Sequence, residues 1–301
     1  MKIRLGTRGS RLALVQSGWV AERLRGEGHE VERVTIRTEG DDKQDRAFAQ
    51  IGQPGVFVRE IERALQDERI DLAVHSYKDL PSVQPEGLTI AAVPERLDAA
   101  DQLLVREQAF VDRHDLLPLV EGATIGTASA RRTALLAHFR PDLKPMLLRG
   151  NLPRRVERLR DGDFDAILLA AAGLERLSRD GGLDMSGIRQ IRLDPWRFVP
   201  APSQGALALQ TRIDDPAMEA ARALDDHGGH RAVRAERAVL ARVEGGCHVA
   251  FGAWCRASES ELQVVAVLGG ERKVARAEAD GQDPEALGDE LVASLRQQLG
   301  R

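Results

Sequence analysis

The chain has 301 residues and a formal net charge of −4, and 43% of its residues are hydrophobic, 30% charged and 4% aromatic. A chain of this length and ordinary composition is expected to fold as two or three globular domains rather than around one core. The scarcity of aromatic residues and the slightly acidic balance argue against a general nucleic-acid-binding protein, which uses aromatic stacking and a basic surface.

The sequence contains neither a predicted membrane span nor a disulfide framework. The longest apolar run, residues 166–174, is shorter than the roughly 20 residues that a spanning helix needs. Arginines and Gln16 interrupt the N-terminal region, which therefore does not resemble a signal peptide. The two cysteines, Cys247 and Cys255, are too few for a disulfide-stabilised secreted domain. We therefore expect a cytoplasmic protein with no membrane partner.

Predicted strands and helices alternate in the N-terminal part, which indicates an open, mostly parallel sheet. The predicted elements are a strand at 2–6, a helix at 11–25 with Ser10 as its N-cap, a strand at 29–38, a helix at 56–67 and a strand at 70–74. Ligands bind such sheets beyond the carboxyl ends of the strands, where Arg8, Ser10, Lys78 and Asp79 lie. The polar stretch 39–55 is too long for a simple connection, so we predict a mobile lid there.

The same order of elements returns between residues 124 and 170. The predicted elements are a strand at 124–127, a helix from about 129 to 139, a strand at 146–148, a helix at 153–160 and a strand at 164–170. The segments Gly6–Arg11 (GTRGSR) and Gly126–Arg131 (GTASAR) match only loosely. Together with the repeated element order, they suggest two similar α/β lobes that face one cleft.

The C-terminal part changes character after a proline-rich crossing. We interpret residues 193–210 as the return from the second lobe into the first, ending in an apolar strand. The elements predicted after it are helices at 217–224 and 231–243, strands at 249–256, 261–268 and 273–279, and a helix at 284–299. Helices on one antiparallel sheet make a small α+β domain. The predicted domains are residues 1–94 together with 195–213, residues 95–194, and residues 214–301.

Residues 126–160 carry the highest local charge, with eight arginines and one lysine against Asp142 and Glu157. A charge run of this kind is usually a solvated helix face. Here the arginines cluster near predicted strand-to-helix junctions, where backbone N–H groups also favour anions. A guanidinium pairs two-pronged with carboxylate or phosphate. We therefore favour a site for a multiply anionic ligand.

Asp79 is the main candidate for chemistry among the loop residues. Its carboxylate follows a buried strand and can stabilise a cation or transfer a proton. A helix cap or a loop ion pair with Lys78 is the simpler explanation from the residues alone. Lys78 and Arg8 are either ligands of an anion or solvated charges. His75 is better explained as a hydrogen-bonding residue at a strand end than as a base.

Cys247 is the main candidate for a covalent role. Gly245 and Gly246 precede it and allow close approach of a bulky group, and a thiolate is a good nucleophile and anchor. A small buried hydrophobic residue is the more common role of a free cysteine, and it suits Cys255 in its alternating strand. A zinc site built from these cysteines and His248 has no convincing fourth ligand. No hydrolase elbow or phosphate-binding glycine motif is present.

A set of ordered motifs resembles the porphobilinogen deaminase family, also called hydroxymethylbilane synthase. The match extends in order from the first strand to beyond Cys247. The motifs are GTRGS at 6–10, HSYKDLP at 75–81, GTASARR at 126–132, LRGN at 148–151, DAILLA at 165–170, QGA at 204–206 and EGGC at 244–247.

The resemblance implies two periplasmic-binding-protein-like α/β lobes around a cleft and a smaller C-terminal α+β domain, in a monomer without a metal. It also implies a dipyrromethane cofactor attached to Cys247 through a thioether. Such an enzyme is a transferase that deaminates porphobilinogen and joins four units head to tail on this primer. Hydrolysis then releases hydroxymethylbilane for tetrapyrrole and haem biosynthesis.

The resemblance also implies roles for individual residues, with Asp79 as the catalytic aspartate that stabilises the positive charge left when ammonia departs. The implied cofactor-binding residues are Cys247, Lys78, Asp79, Thr127, Ser129, Arg131, Arg132, Arg149, Gly150, Ala170 and Gly173. The implied substrate-binding residues are Arg8, Ser10, Arg149, Arg155, Arg176 and Gln204. Each pyrrole ring brings an acetate and a propionate, so the growing chain is a polyanion that a dense set of arginines can hold.

The sequence departs from the family at two places. Gln50 and Pro54 stand where the lid usually has lysines, which removes positive charge from that segment. Ser203 stands where a glycine usually precedes the Gln-Gly pair. Asp79, Cys247 and the arginines keep the family pattern.

The alternative function is a non-catalytic intracellular sensor or carrier of an anionic small molecule, built on the same two lobes. Plain binding requires neither Asp79 nor Cys247, which favours the enzyme. A nucleic-acid-binding protein is a further alternative that the overall charge opposes.

Overall fold

A computed structural model describes residues 1–36, 58–112, 115–243, 249–270 and 273–300. The predicted lid at 39–55, with Gln50 and Pro54, and the predicted cofactor anchor Cys247 lie outside the described residues. The chain divides into two compact units, Met1–Leu97 with Gly205–Arg231, and Asp98–Gln204 with Ala232–Arg301. The domain boundaries given above stay a prediction.

The helices and strands follow the predicted order closely. The strands are β1 (Lys2–Thr7), β2 (Glu30–Thr35), β3 (Leu72–Ser76), β4 (Leu88–Ala92), β5 (Asp101–Arg106), β6 (Thr124–Thr127), β7 (Lys144–Leu147), β8 (Ala166–Ala170), β9 (Ile188–Arg192), β10 (Leu207–Arg212), β11 (Phe251–Ala257), β12 (Leu262–Gly269) and β13 (Val274–Gly281). The α-helices are α1 (Arg11–Gly26), α2 (Arg59–Gln66), α3 (Ala130–Phe139), α4 (Leu152–Arg160), α5 (Ala171–Ser178), α6 (Pro216–Arg222), α7 (His227–Arg242) and α8 (Pro284–Leu299). Within the described ranges, no helix is long and apolar enough to cross a membrane.

The first unit is built on a five-stranded sheet with the order β2-β1-β3-β10-β4. β1 runs parallel to β2 and β3, whereas β10 pairs antiparallel with β3 and β4. Side chains from both kinds of strand, including Ile3, Leu72 and Leu209, are buried against Leu24 of α1. The prediction that the proline-rich crossing leads back into the first sheet is confirmed, because β10 lies inside that sheet.

The second unit repeats this strand order in the sheet β7-β6-β8-β5-β9. β6 runs parallel to β7 and β8, and β5 is the antiparallel strand in the fourth position. Both sheets therefore place three parallel strands side by side, followed by one antiparallel strand. The predicted pair of similar α/β lobes is confirmed.

The rest of the second unit contains the predicted small α+β domain. Its sheet has the antiparallel order β11-β12-β13. One face of β12, with Val264 and Leu268, packs with residues of α7 and α8. The opposite face, with Val265 and Val267, joins the core that contains Leu135 of α3. Since both faces of β12 are buried, this strand connects two hydrophobic cores.

Some elements were not predicted from the sequence. β4, β5, β9 and α5 are absent from the predictions. β3 both begins and ends two residues later than predicted, so that it includes His75 and Ser76. β9 has the sequence IRQIR with half-buried or exposed side chains, which is the weak apolar signal of an edge strand. β5 begins with a charged residue, Asp101, that is completely buried.

Ser203, which replaces a glycine usual in the resembled family, combines two unfavourable features. Its φ is 62°, in the left-handed region that penalises a side chain with a Cβ atom. Its Oγ is buried without a hydrogen-bond partner in the described part of the chain. The backbone N–H of Ser203 donates to Oε2 of the buried Glu236 at 2.6 Å, which holds this conformation in place.

We expect Ser203→Gly to raise the free energy of unfolding by about 1–2 kcal/mol, because it relieves the backbone strain and removes the buried hydroxyl. Chemical denaturation measures the change. Ser203→Ala is the matched control, since it removes the hydroxyl but keeps the Cβ atom and should recover only part of the gain. An unfolding free energy equal to that of the wild type for the glycine variant would contradict this account.

Candidate functional site

In the first unit, polar residues gather at the carboxyl ends of β1 and β3, which are parallel neighbours. Arg8 directly follows β1, and Ser10 caps α1 by accepting a hydrogen bond from the Ala13 N–H at 3.3 Å. A 3₁₀ turn, Tyr77–Asp79, directly follows β3 and carries Lys78 and Asp79. The four polar residues therefore lie at the edge where open α/β sheets bind ligands.

A solvent-open cavity of about 110 Å³ lies at this edge. Arg8, Ser10, His75 and Asp79 line it together with Gln16, Ser76 and apolar side chains. Lys78 is half-buried and is not among the lining residues. The Asp79 side chain is exposed. The structure thus brings three of the predicted site residues of this unit together with His75.

His75 connects the cavity to a buried polar network. Its Nε2 lies 2.9 Å from Oε1 of Gln210, whose Nε2 donates to Oε1 of Gln84 at 2.8 Å and to Oε1 of Glu62 at 3.2 Å. Burial lowers the pKa of His75 to about 4, and burial raises the pKa of Glu62. The imidazole is therefore neutral at physiological pH.

In the second unit, the corresponding edge is formed by the carboxyl ends of β6, β7 and β8. Ser129 caps α3 by accepting from the Arg132 N–H at 3.4 Å, in the same way that Ser10 caps α1. Thr127, at the end of β6, accepts from the Ser129 N–H at 3.2 Å. The strand–turn–helix segments that looked alike in sequence therefore share one serine N-cap arrangement.

Arg131 and Arg132 are buried and share one carboxylate, that of Asp101. Nη1 of Arg131 lies 2.7 Å from Oδ2 of Asp101, and Nη2 of Arg132 lies 2.7 Å from Oδ1. Each arginine also donates to a main-chain carbonyl, Val199 for Arg131 and Leu168 for Arg132. Burial alone would raise the pKa of Asp101, but the two guanidinium groups hold it well below its usual range.

Gln204 completes this buried cluster. Its Nε2 donates to the carbonyl oxygen of Ala99 at 2.8 Å and to Oδ1 of Asp101 at 2.9 Å. Sequence reasoning did not identify Asp101. The only available signal was an acidic residue two positions before the apolar triplet Leu103–Val105. The structure therefore shows Arg131, Arg132 and Gln204 as parts of the core of the second unit, and their predicted ligand contacts stay predictions.

Arg155 differs from these buried arginines because no carboxylate is paired with it in the described part of the chain. It is half-buried on α4, and its Nε donates to the carbonyl oxygen of Gly150 at 2.7 Å. Gly150 has a φ of 106°, in the left-handed region that favours glycine. Burial, followed by repulsion from the Arg132 guanidinium, lowers the pKa of Arg155.

The remaining predicted residues also lie on the second unit. Arg149 is exposed after β7. Arg176 is buried on α5, and burial lowers its pKa to about 10. Ala170 is the N-cap of α5, and Gly173 is buried in the first turn of that helix. Cys255 is buried in β11, in agreement with its predicted role as a small core residue.

The fold and the site define a class of protein. Two α/β lobes with one strand order place serine N-caps and arginines at the carboxyl ends of their parallel strands, and an α+β domain accompanies the second lobe. This is a two-lobed α/β protein whose strand ends carry groups of the kind that favour anions.

Comparison with known proteins gives the family. Residues 3–220 match the family described as porphobilinogen deaminase, dipyromethane cofactor binding domain, and residues 230–297 match the porphobilinogen deaminase C-terminal domain. The porphobilinogen deaminase of Deinococcus radiodurans is 43% identical over 303 residues, covering 97% of this chain and 94% of the relative. The porphobilinogen deaminase of Brevibacillus brevis is 39% identical over 300 residues, covering 98% of this chain and 94% of the relative. The chain belongs to the porphobilinogen deaminase family.

Solved structures also align with the chain at low similarity. A periplasmic binding protein of Salmonella typhimurium has a TM-score of 0.39 and 10% identity, covering 74% of this chain and 91% of that chain. A domain of the Bordetella pertussis protein BvgS has a TM-score of 0.43 and 15% identity, covering 78% of this chain and 91% of that domain's chain. The fold described above rests on the sheet topology, and these scores add nothing to it.

We expect Asp101→Asn to lower the free energy of unfolding by about 3–5 kcal/mol, because it leaves two buried guanidinium groups without a counter-charge. Denaturant unfolding measures the loss. Glu107→Gln is the matched control in the same unit, since it breaks an exposed pair with Arg189 and should cost less than about 1 kcal/mol. Equal losses in the two variants would show that Asp101 does not stabilise the core.

Proposed function

We propose that this chain catalyses the porphobilinogen deaminase reaction, as a transferase of the hydroxymethylbilane synthase type. Four porphobilinogen units lose ammonia and are joined head to tail, and hydrolysis releases hydroxymethylbilane for tetrapyrrole and haem biosynthesis. Membership of the family supports this activity. The cytoplasm is the proposed compartment, and a monomer is the proposed state.

The observation that carries the proposal is the Arg155 guanidinium. A cation that is partly removed from water without a carboxylate partner is costly, unless an anion binds there. The lowered pKa of Arg155 reports this desolvation. Porphobilinogen and its oligomers are anions, since every pyrrole ring carries an acetate and a propionate. A bound anion would therefore supply the counter-charge that the Arg155 guanidinium lacks in the described part of the chain.

The hydroxyl groups of Thr127 and Ser129 fit the same ligand. Each already accepts a hydrogen bond from a backbone N–H, so its own hydrogen is left to donate. Two hydroxyl donors at the start of α3, near a helix terminus that favours anions, suit a carboxylate. Together with Arg149, Arg155 and the backbone of Gly150, these donors fit the carboxylates of a dipyrromethane cofactor.

The cofactor would be held by these residues and attached to Cys247, whose position lies outside the described residues. When bound, it supplies the free pyrrole α-carbon to which the first substrate unit is joined. Arg131, Arg132 and Gln204 would act from the core, by fixing the start of α3 and adding positive potential beside Arg155. Ala170 and Gly173 carry little or no side chain at the start of α5, which would leave room for a ring to approach.

Asp79 would act in the cavity of the first unit. When ammonia leaves porphobilinogen, the C–N bond of the aminomethyl group breaks and the pyrrole is left with a positive charge that extends to its nitrogen. A carboxylate beside that nitrogen stabilises the charge and can move the proton released on coupling. Arg8 and Ser10 line the same cavity and would hold side-chain carboxylates, and Lys78 precedes Asp79 in the same 3₁₀ turn. Arg176, on α5 of the second unit, stays a proposed substrate-binding residue.

The intact mass of freshly purified protein tests the proposal. We expect an excess equal to two deaminated porphobilinogen units, located on Cys247 by peptide mapping. Cys247→Ala should lose this excess and all deaminase activity. Cys255→Ala is the matched control and should keep both, because Cys255 is a buried core residue. Failure of Cys247 to become modified after incubation with porphobilinogen would favour the non-catalytic binding protein.

We expect Arg155→Ala to slow porphobilinogen consumption by about 10–100-fold, since it removes a charge-assisted contact to a carboxylate. Single-turnover kinetics of the cofactor-loaded protein measure the rate. The neighbouring Arg154→Ala should be nearly normal, because Arg154 is exposed and pairs with Glu157. Its unfolding free energy should be similar to that of Arg155→Ala. Equal rates of porphobilinogen consumption in the two variants would show that Arg155 does not belong to the site.

A further inference from the structure

The buried network behind the cavity of the first unit has a fixed donor and acceptor direction. It includes the main-chain carbonyl of Pro81, which can only accept, and Nε2 of Gln84 donates to that carbonyl at 3.3 Å. Because Nε2 of Gln84 faces the Pro81 carbonyl, Oε1 of Gln84 faces the opposite way and acts as an acceptor. It accepts from Nε2 of Gln210 at 2.8 Å. The orientation of the Gln210 amide is thus determined by the loop that follows Asp79.

A second contact determines the same orientation independently. Nε2 of Gln210 also donates to Oε1 of the buried Glu62 at 3.2 Å. With both N–H bonds of the Gln210 amide used, its Oε1 faces Nε2 of His75 at 2.9 Å. An amide oxygen only accepts, so Nε2 of His75 carries a hydrogen.

This hydrogen determines what His75 can offer to a ligand. The ring is neutral, because burial lowers its pKa to about 4. A neutral imidazole with its hydrogen on Nε2 has a lone pair on Nδ1, which can only accept a hydrogen bond. His75 also lines the cavity with Arg8, Ser10 and Asp79. Since Nε2 is engaged by Gln210, Nδ1 is the ring nitrogen left for a ligand.

The cavity therefore contains groups of two kinds. Arg8 and Ser10 can donate, which suits a carboxylate. The Asp79 carboxylate and Nδ1 of His75 accept, which suits an N–H group and repels a carboxylate. Porphobilinogen carries both kinds of partner, namely its two carboxylates and the N–H groups of its pyrrole and aminomethyl nitrogens.

We propose that Nδ1 of His75 accepts a hydrogen bond from an N–H group of porphobilinogen bound in this cavity, and so helps to orient the ring towards Asp79. This inference rests on the proposed function. It assigns His75 to substrate binding, with Gln210 setting its tautomer. The role of His75 is thus more than the strand-end hydrogen bond expected from the sequence.

Two substitutions separate this role from a structural one. In His75→Asn, the side-chain oxygen can take the place of Nδ1, while the contact with Gln210 is lost. In His75→Gln, the side-chain nitrogen can take the place of Nε2 and keep the contact with Gln210, while the acceptor in the cavity is lost. Thermal unfolding of both variants reports any effect on the fold.

We expect His75→Gln to raise the Kd for porphobilinogen by about 10-fold, the loss of one hydrogen bond, and His75→Asn to raise it by less than about 3-fold. Single-turnover kinetics of the cofactor-loaded variants, with porphobilinogen as the probe, give the Kd. A purely structural role predicts the reverse order, and that order would overturn the inference. An inactive wild-type protein would instead count against the proposed function, so the two failures are distinguishable.

The tautomer can be measured without substrate and without relying on a variant's activity. A long-range ¹⁵N–¹H spectrum of the cofactor-loaded protein distinguishes Nε2–H from Nδ1–H, and the His75 signals are assigned by their loss in His75→Gln. We expect the Nε2–H form. The Nδ1–H form, or a protonated ring at neutral pH, would overturn the inference.

Discussion

The buried carboxylate of Asp101 fixes the start of α3, on which the proposed anion-binding edge of the second unit depends. It holds Arg131, Arg132 and Gln204 through charged hydrogen bonds, and Arg132 continues to the Leu168 carbonyl of β8. Such a cluster pays a large desolvation cost, so its net contribution to stability is smaller than its contacts suggest. We infer that its main effect is positional, because moving either arginine would leave a buried charge without its partner.

The two lobes use the same backbone arrangement with different electrostatics. Both start a helix with a serine N-cap, Ser10 or Ser129, just beyond a parallel strand. In the first lobe, the Asp79 carboxylate and the neutral His75 share a cavity with donors. In the second lobe, Arg155 has no carboxylate partner within the described ranges. Under the proposed function, the acceptors of the first lobe would bind N–H groups of the substrate, and Arg155 of the second lobe would bind a carboxylate.

The sequence predicted most of the fold because its signals are local. Ser10 as an N-cap and the bounds of α8 follow from side-chain chemistry within a few residues, and the structure confirms both. The α/β lobes and the α+β domain follow from the order of the elements. β9 was missed because an edge strand needs no continuous apolar pattern. The His75 network was also missed, since Gln84 and Gln210 are far apart in the chain and meet only when β10 pairs with β3.

The arginine-rich segment shows why the candidate site was harder to predict than the fold. Counting charges between residues 126 and 160 treats every arginine as available to a ligand. Asp101 lies outside that segment, yet it partly neutralises Arg131 and Arg132 and removes them from solvent. Arg154 and Arg158 pair with acidic neighbours. Arg155 stands out only when burial and pairing are considered together. A desolvated cation without a carboxylate partner therefore gives a more specific hypothesis for an anion site than the local density of charge does.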